Sequence, residues 1–284
     1  MRHSPAGRVC LVTGGAQGIG WAITTALADR GATVHACDIS DEHLDRATSL
    51  AARRPHGGAI HLTHCDVSVR EQCQQWTADV HRREGSIDVL VNNCAYVRWT
   101  DLESMSWDEI EQTIRVDLLA TVYATKAVVP LMRTGSYGHI VTMGSAVSRI
   151  PLPPSSAAYA AAKAGLEAFI CVLRAELAGT PVHTTLIRPA TVGGTDFFRH
   201  HVSSRAMPRM ADFIPALTPA QVAHSVIRVL GQPRPVVDIP ASLPLLYCLY
   251  ALAPTAFHRL TAVGGAARRD FGVVPWARGE SSTR

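Results

Sequence analysis

A tyrosine and a lysine four residues apart, Tyr159-Ala160-Ala161-Ala162-Lys163, lie in a stretch of helical period. That spacing puts the phenol and the ammonium one turn apart on one face of a helix. A free phenol has a pKa of roughly 10, too high for a base at neutral pH, and a nearby cation lowers it by favouring the phenolate. Moving a hydroxyl proton during hydride transfer needs such a base. The lysine stands out in this chain, because only Lys126 and Lys163 are lysines and 25 of the 27 basic residues are arginine. A compact ammonium is retained where a planar guanidinium would not serve. Ser145, 14 residues before the tyrosine, supplies a hydroxyl that can hold a substrate oxygen.

A second constellation fits a dinucleotide. Thr13-Gly14-Gly15-Ala16-Gln17-Gly18-Ile19-Gly20 follows an apolar run and opens a helical pattern. Gly14 permits a sharp turn, Gly18 lets backbone N–H groups approach a pyrophosphate, and Gly20 allows close packing of helix on sheet. The helix N-terminus then faces the phosphates. Asp38 follows 18 residues after Gly20, where a carboxylate can accept hydrogen bonds from ribose hydroxyls and repel a 2′-phosphate. No Arg or Lys sits within the turn or immediately after Asp38, so NAD is expected over NADP. The alternative role for Asp38 is a cap on the helix Ser40–Arg46.

These residues need a scaffold of alternating elements. Apolar runs predict strands at Val9–Thr13, Thr33–Cys37, Ile60–Cys65, Ile87–Val91, His139–Met143, His183–Ile187 and Val236–Ile239. Continuous rather than alternating apolarity suits strands covered on both faces, and hence an α/β fold with a parallel, doubly wound, Rossmann-like sheet. Long helices are expected at Trp107–Arg133 and Ser156–Ala178, with another at Pro219–Leu230. Pro189–Thr218, rich in Gly, Pro, His and Arg, reads as a loop suited to a substrate lid. One catalytic domain over 1–240 with an extension over 241–284 is the expected organisation.

Composition narrows the function classes. With 284 residues, 47% of them apolar, 18% charged and a net charge of +4, the chain can bury a large core, which excludes a disordered protein. The 7 cysteines are scattered without a C-x-x-C pair, which argues against a disulfide scaffold and for a reducing compartment. Cys10, Cys37 and Cys65 read as small core hydrophobes. The first 15 residues lack the apolar length of an export signal, so a cytoplasmic protein is expected. Arginines spread over the chain, with no basic stripe interleaved with aromatics, point away from nucleic acid. His61-x-x-His64 and His200-His201 have no Cys, Asp or Glu at ligand spacing, so no metal is expected.

Taken together, Thr13–Gly20, Tyr159 with Lys163, and Ser145 resemble the short-chain dehydrogenase/reductase family over roughly residues 7 to 240. The resemblance implies that Tyr159 is the acid/base, that Lys163 lowers its pKa and holds the nicotinamide ribose, and that Ser145 polarises the substrate oxygen. It assigns cofactor contacts to Gly14, Gln17, Gly18, Ile19 and Gly20. The family's adenine-side pair falls on Asp66-Val67, its N-N-A-G on Asn92-Asn93-Cys94-Ala95, and its P-G-x-V-x-T on Pro189 to Thr195 with Val192 in place. It also implies a homodimer or homotetramer built through the two long helices. Three departures stand out: Ala95 and Ala190 replace glycines, and Asp117 occupies the position of a helix asparagine that supports a water relay to the lysine. If Asp117 keeps that relay role, Asp117→Asn should leave activity equal or higher; if it pairs with Lys163 or the substrate, activity should fall.

From Ile239 to Phe257 the chain carries no charged residue, and Pro240, Pro244 and Pro254 oppose a single membrane-spanning helix. The expectation is an apolar helix hairpin capping the active site over a lipophilic substrate. Dimer packing and attachment to a membrane surface through 240–260 are the alternatives. The expected activity is interconversion of a secondary alcohol and a ketone with NAD. Alternatives are a biosynthetic ketoreductase, a non-redox relative performing epimerisation or dehydration, or a nucleotide-binding regulator.

Overall fold

A computed structural model describes residues 4–53, 57–151, 156–195 and 215–262. Seven parallel strands form one sheet in the order β3-β2-β1-β4-β5-β6-β7. They are β1 Val9–Thr13, β2 Thr33–Asp38, β3 Ala59–His64, β4 Val89–Asn92, β5 Gly138–Met143, β6 Val182–Pro189 and β7 Val236–Ile239. Strand order reverses between β1 and β4, which opens a crevice at the C-terminal ends of the strands. The doubly wound α/β arrangement expected from the sequence is present. Strands β1, β4 and β5 are buried along their whole length, as continuous apolar runs require.

Helices α1 Gly18–Ala28, α2 Asp41–Ala52, α3 Arg70–Glu84, α4 Trp107–Ile114, α5 Ala120–Thr134, α6 Ala157–Glu176 and α7 Pro219–Gly231 flank the sheet. One face carries a core of Val12, Ile23, Leu27, Val34, Val226 and Leu230; the other carries Leu11, Trp76, Leu90, Val128, Ile140 and Ile170. Side-chain caps explain several helix starts. Ser40, Ser156 and Thr218 each accept from a backbone N–H three residues on, and Ser106 with Glu109 forms a capping box.

The helix predicted from Trp107 to Arg133 is not uniform. Between α4 and α5, residues Arg115–Leu119 widen into a π-turn. No Gly or Pro announces this turn, and the contacts that hold it are tertiary. The predicted lid, Pro189–Thr218, lies largely outside the described residues. Beyond β7, α8 Leu243–Leu252 and α9 Pro254–Ala262 form the expected helix pair. Among the described residues no helix is long and apolar enough to cross a membrane.

Candidate active site

The glycine turn connects β1 to α1. Gly14 and Gly18 have φ of +60° and +52°, a left-handed conformation that disfavours other residues. A Cβ on Gly20 would lie 1.9 Å from the Gly14 carbonyl oxygen, so helix and turn meet only because that atom is missing. Asn93 ties the turn to β4: its Nδ2 donates to the carbonyls of Thr13 and Gly14 at 3.1 Å each. Thr13 Oγ1 in turn accepts from the backbone N–H groups of Asn93 and Cys94 at 3.0 and 3.2 Å. This is a cradle left open by missing side chains at a helix N-terminus, and it fits a pyrophosphate. Thr195 packs against Gly18, and Val192 is fixed by a bridge to Leu217. The sequence motifs included Thr13 and Thr195 but gave neither a role, because a threonine in a strand or loop announces nothing until the neighbouring chain is placed.

Asp38 ends β2 and is buried beside the turn, its Oδ2 accepting from the Ala16 N–H at 3.4 Å and its Oδ1 from the Ser40 N–H at 3.2 Å. Among the described residues the nearest basic group is the imidazole of His43, 4.0 Å away. The helix cap itself is Ser40 rather than Asp38, with Ser40 Oγ accepting from His43 N–H, so the capping alternative for the carboxylate falls. Asp66 Oδ1 accepts from Ser68 N–H and Oγ–H at 2.9 and 2.7 Å, which fixes the Asp66-Val67 loop past β3.

The catalytic candidates converge at the ends of β4 and β5. Ser145 follows β5 and caps the short turn Ala146–Ser148, its Oγ accepting from Val147 N–H at 3.2 Å. Tyr159 and Lys163 come from α6 as the four-residue spacing requires, and both are buried. Lys163 Nζ donates to the Met143 carbonyl at 3.3 Å and lies 5.5 Å from the centre of the Tyr159 ring. Trp99 lies beside the same ring at 6.2 Å.

Asp117 holds the least expected position. Its Oδ1 lies 3.0 Å from Lys163 Nζ with the carboxylate fully buried, and its Oδ2 accepts from the Tyr96 N–H at 3.1 Å. The π-turn carries Asp117 to this point. Resemblance suggested a relay through water; in the structure the aspartate is a direct ion-pair partner of the lysine. The consequences are electrostatic. Burial pushes the Asp117 carboxyl up to about 6 despite the attraction of Lys163. The ammonium is favoured, since Asp117 and Tyr159 outweigh its loss of water. The Tyr159 phenol lies above its ordinary value: burial raises it most, Lys163 and the Ser145 hydroxyl pull it down, and Asp117 pushes it back up. The expected lowering by lysine is therefore present but outweighed.

Cys10, Cys37, Cys65 and Cys73 are buried and free; burial pushes Cys73 and Cys94 up to about 12, which makes those two thiols unreactive, whereas a hydrogen bond with Cys37 holds the Cys65 thiol below its ordinary value. His64 pairs with Asp41 at 2.6 Å on the surface, and His200-His201 lie outside the described residues.

The profile of the short chain dehydrogenase family matches residues 8–206. The chain is 37% identical over 186 residues to the 3-oxoacyl-[acyl-carrier-protein] reductase FabG of Thermotoga maritima, covering 66% of this chain and 74% of that protein. It is 29% identical over 259 residues to human estradiol 17-beta-dehydrogenase 11, covering 90% and 82%. The structure of a Pseudomonas aeruginosa RhlG/NADP active-site complex superposes with a TM-score of 0.75 at 25% identity, covering 85% of this chain and 98% of that one. The order of the strands, the cradle at their switch point and the tyrosine–lysine pair above it agree with this match over more than half the sequence, and the chain belongs to the short-chain dehydrogenase family of oxidoreductases.

Proposed function

We propose that this protein interconverts a secondary alcohol and a ketone on a lipophilic substrate, with NAD(H) as the hydride carrier. The observation that carries this reading is the convergence of Ser145, Tyr159 and Lys163 beside the glycine cradle. The Gly14–Gly20 turn would hold the pyrophosphate, with Gln17 and Ile19 flanking it, and Asp38 the adenosine ribose. Asp66 and Val67 would face the adenine, and Asn93, Lys163 and Val192 the nicotinamide end. The dinucleotide supplies hydride chemistry; the protein positions and moves the proton. In alcohol oxidation the Tyr159 phenolate accepts the hydroxyl proton while the Ser145 hydroxyl donates to the substrate oxygen. In ketone reduction Tyr159 returns that proton. Lys163, held by Asp117 and Met143, keeps a positive charge next to the phenol.

Asp38 supports NAD, because a buried carboxylate without a neighbouring guanidinium or ammonium among the described residues disfavours a 2′-phosphate. The apolar pair α8–α9 leaves the C-terminal end of β7, the end that carries the crevice, with Leu245, Leu249 and Leu252 more than half exposed. That supports a lipophilic substrate and a capping role for the tail. Assembly through α5 and α6, where Val172 is exposed, completes the proposal.

Purified protein incubated with NAD and a panel of lipophilic secondary alcohols should accumulate reduced cofactor. Fluorescence titration should give at least about tenfold tighter binding of NAD than NADP, equivalent to about 1.4 kcal/mol. Equal affinities would remove the role of Asp38, and a cofactor spectrum that never changes across the panel would remove the redox assignment.

A further inference from the structure

Two imidazoles lie together on the sheet, away from the crevice. His35 in β2 and His61 in β3 are direct register partners on adjacent parallel strands, their rings stacked with centroids 4.7 Å apart. Glu84, the last residue of α3, reaches across so that its Oε1 lies 2.9 Å from His35 Nε2. One ligand atom from each of the three residues lies within 4.8 Å of the other two. Sequence spacing could not show this group, because its members are 26 and 23 residues apart and only strand register unites them.

Several features favour a cation there. The His35 side chain is 4% exposed and Glu84 21%, so the donors are preorganised and partly desolvated. Glu84 closes α3 just before left-handed Gly85, where the negative end of the helix dipole lies. An adjoining groove of about 630 Å³, lined by His35, Thr63, His64, Trp76 and Arg83, gives access to solvent. The group that opposes a cation is Arg83, whose Nε lies 3.3 Å from Glu84 Oε1; its side chain is 61% exposed and can turn to water.

We propose that His35, His61 and Glu84 form a divalent metal site separate from the catalytic crevice, suited by its two imidazoles and one carboxylate to Zn²⁺. This revises the expectation from chain spacing that the histidines bind no metal. Tetrahedral zinc, with Zn–N of about 2.0–2.1 Å, places its ligand atoms roughly 3.3 Å apart. Side-chain rotation on the order of an ångström achieves this from the present arrangement. On metal binding the Nε2 proton that His35 shares with Glu84 shifts to Nδ1, so the imidazole stays neutral and presents Nε2 to the ion, and water from the groove completes the coordination. Binding would clamp edge strand β3 and β2 to α3, so its effect is on stability rather than turnover.

The test uses chelator-treated full-length protein titrated with Zn²⁺ by calorimetry and with Co²⁺ by visible absorption. His61→Ala and Glu84→Gln are compared after circular dichroism confirms their fold. The expected result is one equivalent of metal, a Co²⁺ ligand-field spectrum of low-symmetry nitrogen and oxygen coordination, a Zn²⁺-dependent rise in Tm, and at least about tenfold weaker binding in each variant. Absence of binding tighter than millimolar, or unchanged affinity in either variant, overturns the site.

Discussion

Each oxygen of the Asp117 carboxylate faces a different donor: Oδ1 lies 3.0 Å from the Lys163 ammonium, and Oδ2 accepts from the Tyr96 amide. An asparagine has one acceptor oxygen, so its NH₂ group would face one of those donors in a fully buried place, at a cost of about 1–3 kcal/mol. Asp117→Asn should therefore lower turnover by about tenfold or more instead of restoring a family arrangement. Its pH profile should change as well. Asp117 titrates at about 6 in the folded protein, so kcat of the native enzyme should show an ionisation near pH 6 that the asparagine variant lacks. Because the carboxylate also pushes the Tyr159 phenol up, its removal should move the alcohol-oxidation limb to lower pH. Turnover measured against pH for both proteins checks all three points, and an unshifted, equally active variant would refute the pairing role. Tyr159→Phe should keep the fold and cofactor binding while turnover falls by about a hundredfold or more; stopped-flow rates beside fluorescence titration would show it.

Helix α1 is positioned by the absence of one atom. An added Cβ at Gly20 would overlap the Gly14 carbonyl and approach Asn93 Nδ2 at 2.7 Å, so both the turn and its tie to β4 would have to move. Gly20→Ala should abolish measurable NAD binding and cost roughly 1–3 kcal/mol of stability through overpacking. Gly231→Ala, where the added atom meets nothing within 4 Å, should leave both unchanged in the same denaturant melts and titrations. What was legible in the sequence follows this division. Val9–Thr13 and Val236–Ile239 emerge with their predicted ends because apolar runs and turn residues are local signals. The glycine turn, Tyr159 and Lys163 were legible for the same reason: spacing within one element sets their geometry. The π-turn at Arg115–Leu119 was not, since it breaks a helical pattern without any breaker residue. The Asp117–Lys163 pair was legible only as one of two alternatives, and the meeting of His35 with His61 not at all, because each depends on which elements become neighbours. Gly15 belongs with these: no role for it was legible in the turn motif, yet a Cβ there would strike the Ala36 side chain in β2 at 2.6 Å.

At the scale of the whole molecule, one largely buried charge network joins the Ser145 turn to the C-terminal helices. Arg188 at the end of β6 holds Asp238 of β7 through two bonds of 2.8 and 2.9 Å and Glu167 of α6 at 2.8 Å. Glu167 also takes Arg149 at 2.7 Å and Ser148 Oγ at 2.9 Å, and that same hydroxyl lies 2.7 Å from the Ser145 carbonyl. On the other side, the Tyr247 hydroxyl of α8 donates to Asp238 at 2.9 Å and its ring lies beneath Arg188. The Arg188 pairs, largely buried, are protected from salt, unlike exposed ones. Replacing Arg188 by methionine leaves Asp238 without a cation and Glu167 with Arg149 alone, which should cost about 3–5 kcal/mol. Tyr247→Phe removes one hydrogen bond to a charged acceptor and should cost about 1.5–3 kcal/mol. Both act through Asp238, so the double variant should lose less than the sum of the two. Denaturant unfolding of the four proteins measures that coupling, and strict additivity would mean that the tail is held independently of the catalytic turn. Coupling should also appear in function: Arg188→Met should lower kcat by loosening the Ser145 turn, whereas Tyr247→Phe, which leaves the Arg188–Glu167 pair in place, should act mainly on KM for a lipophilic alcohol.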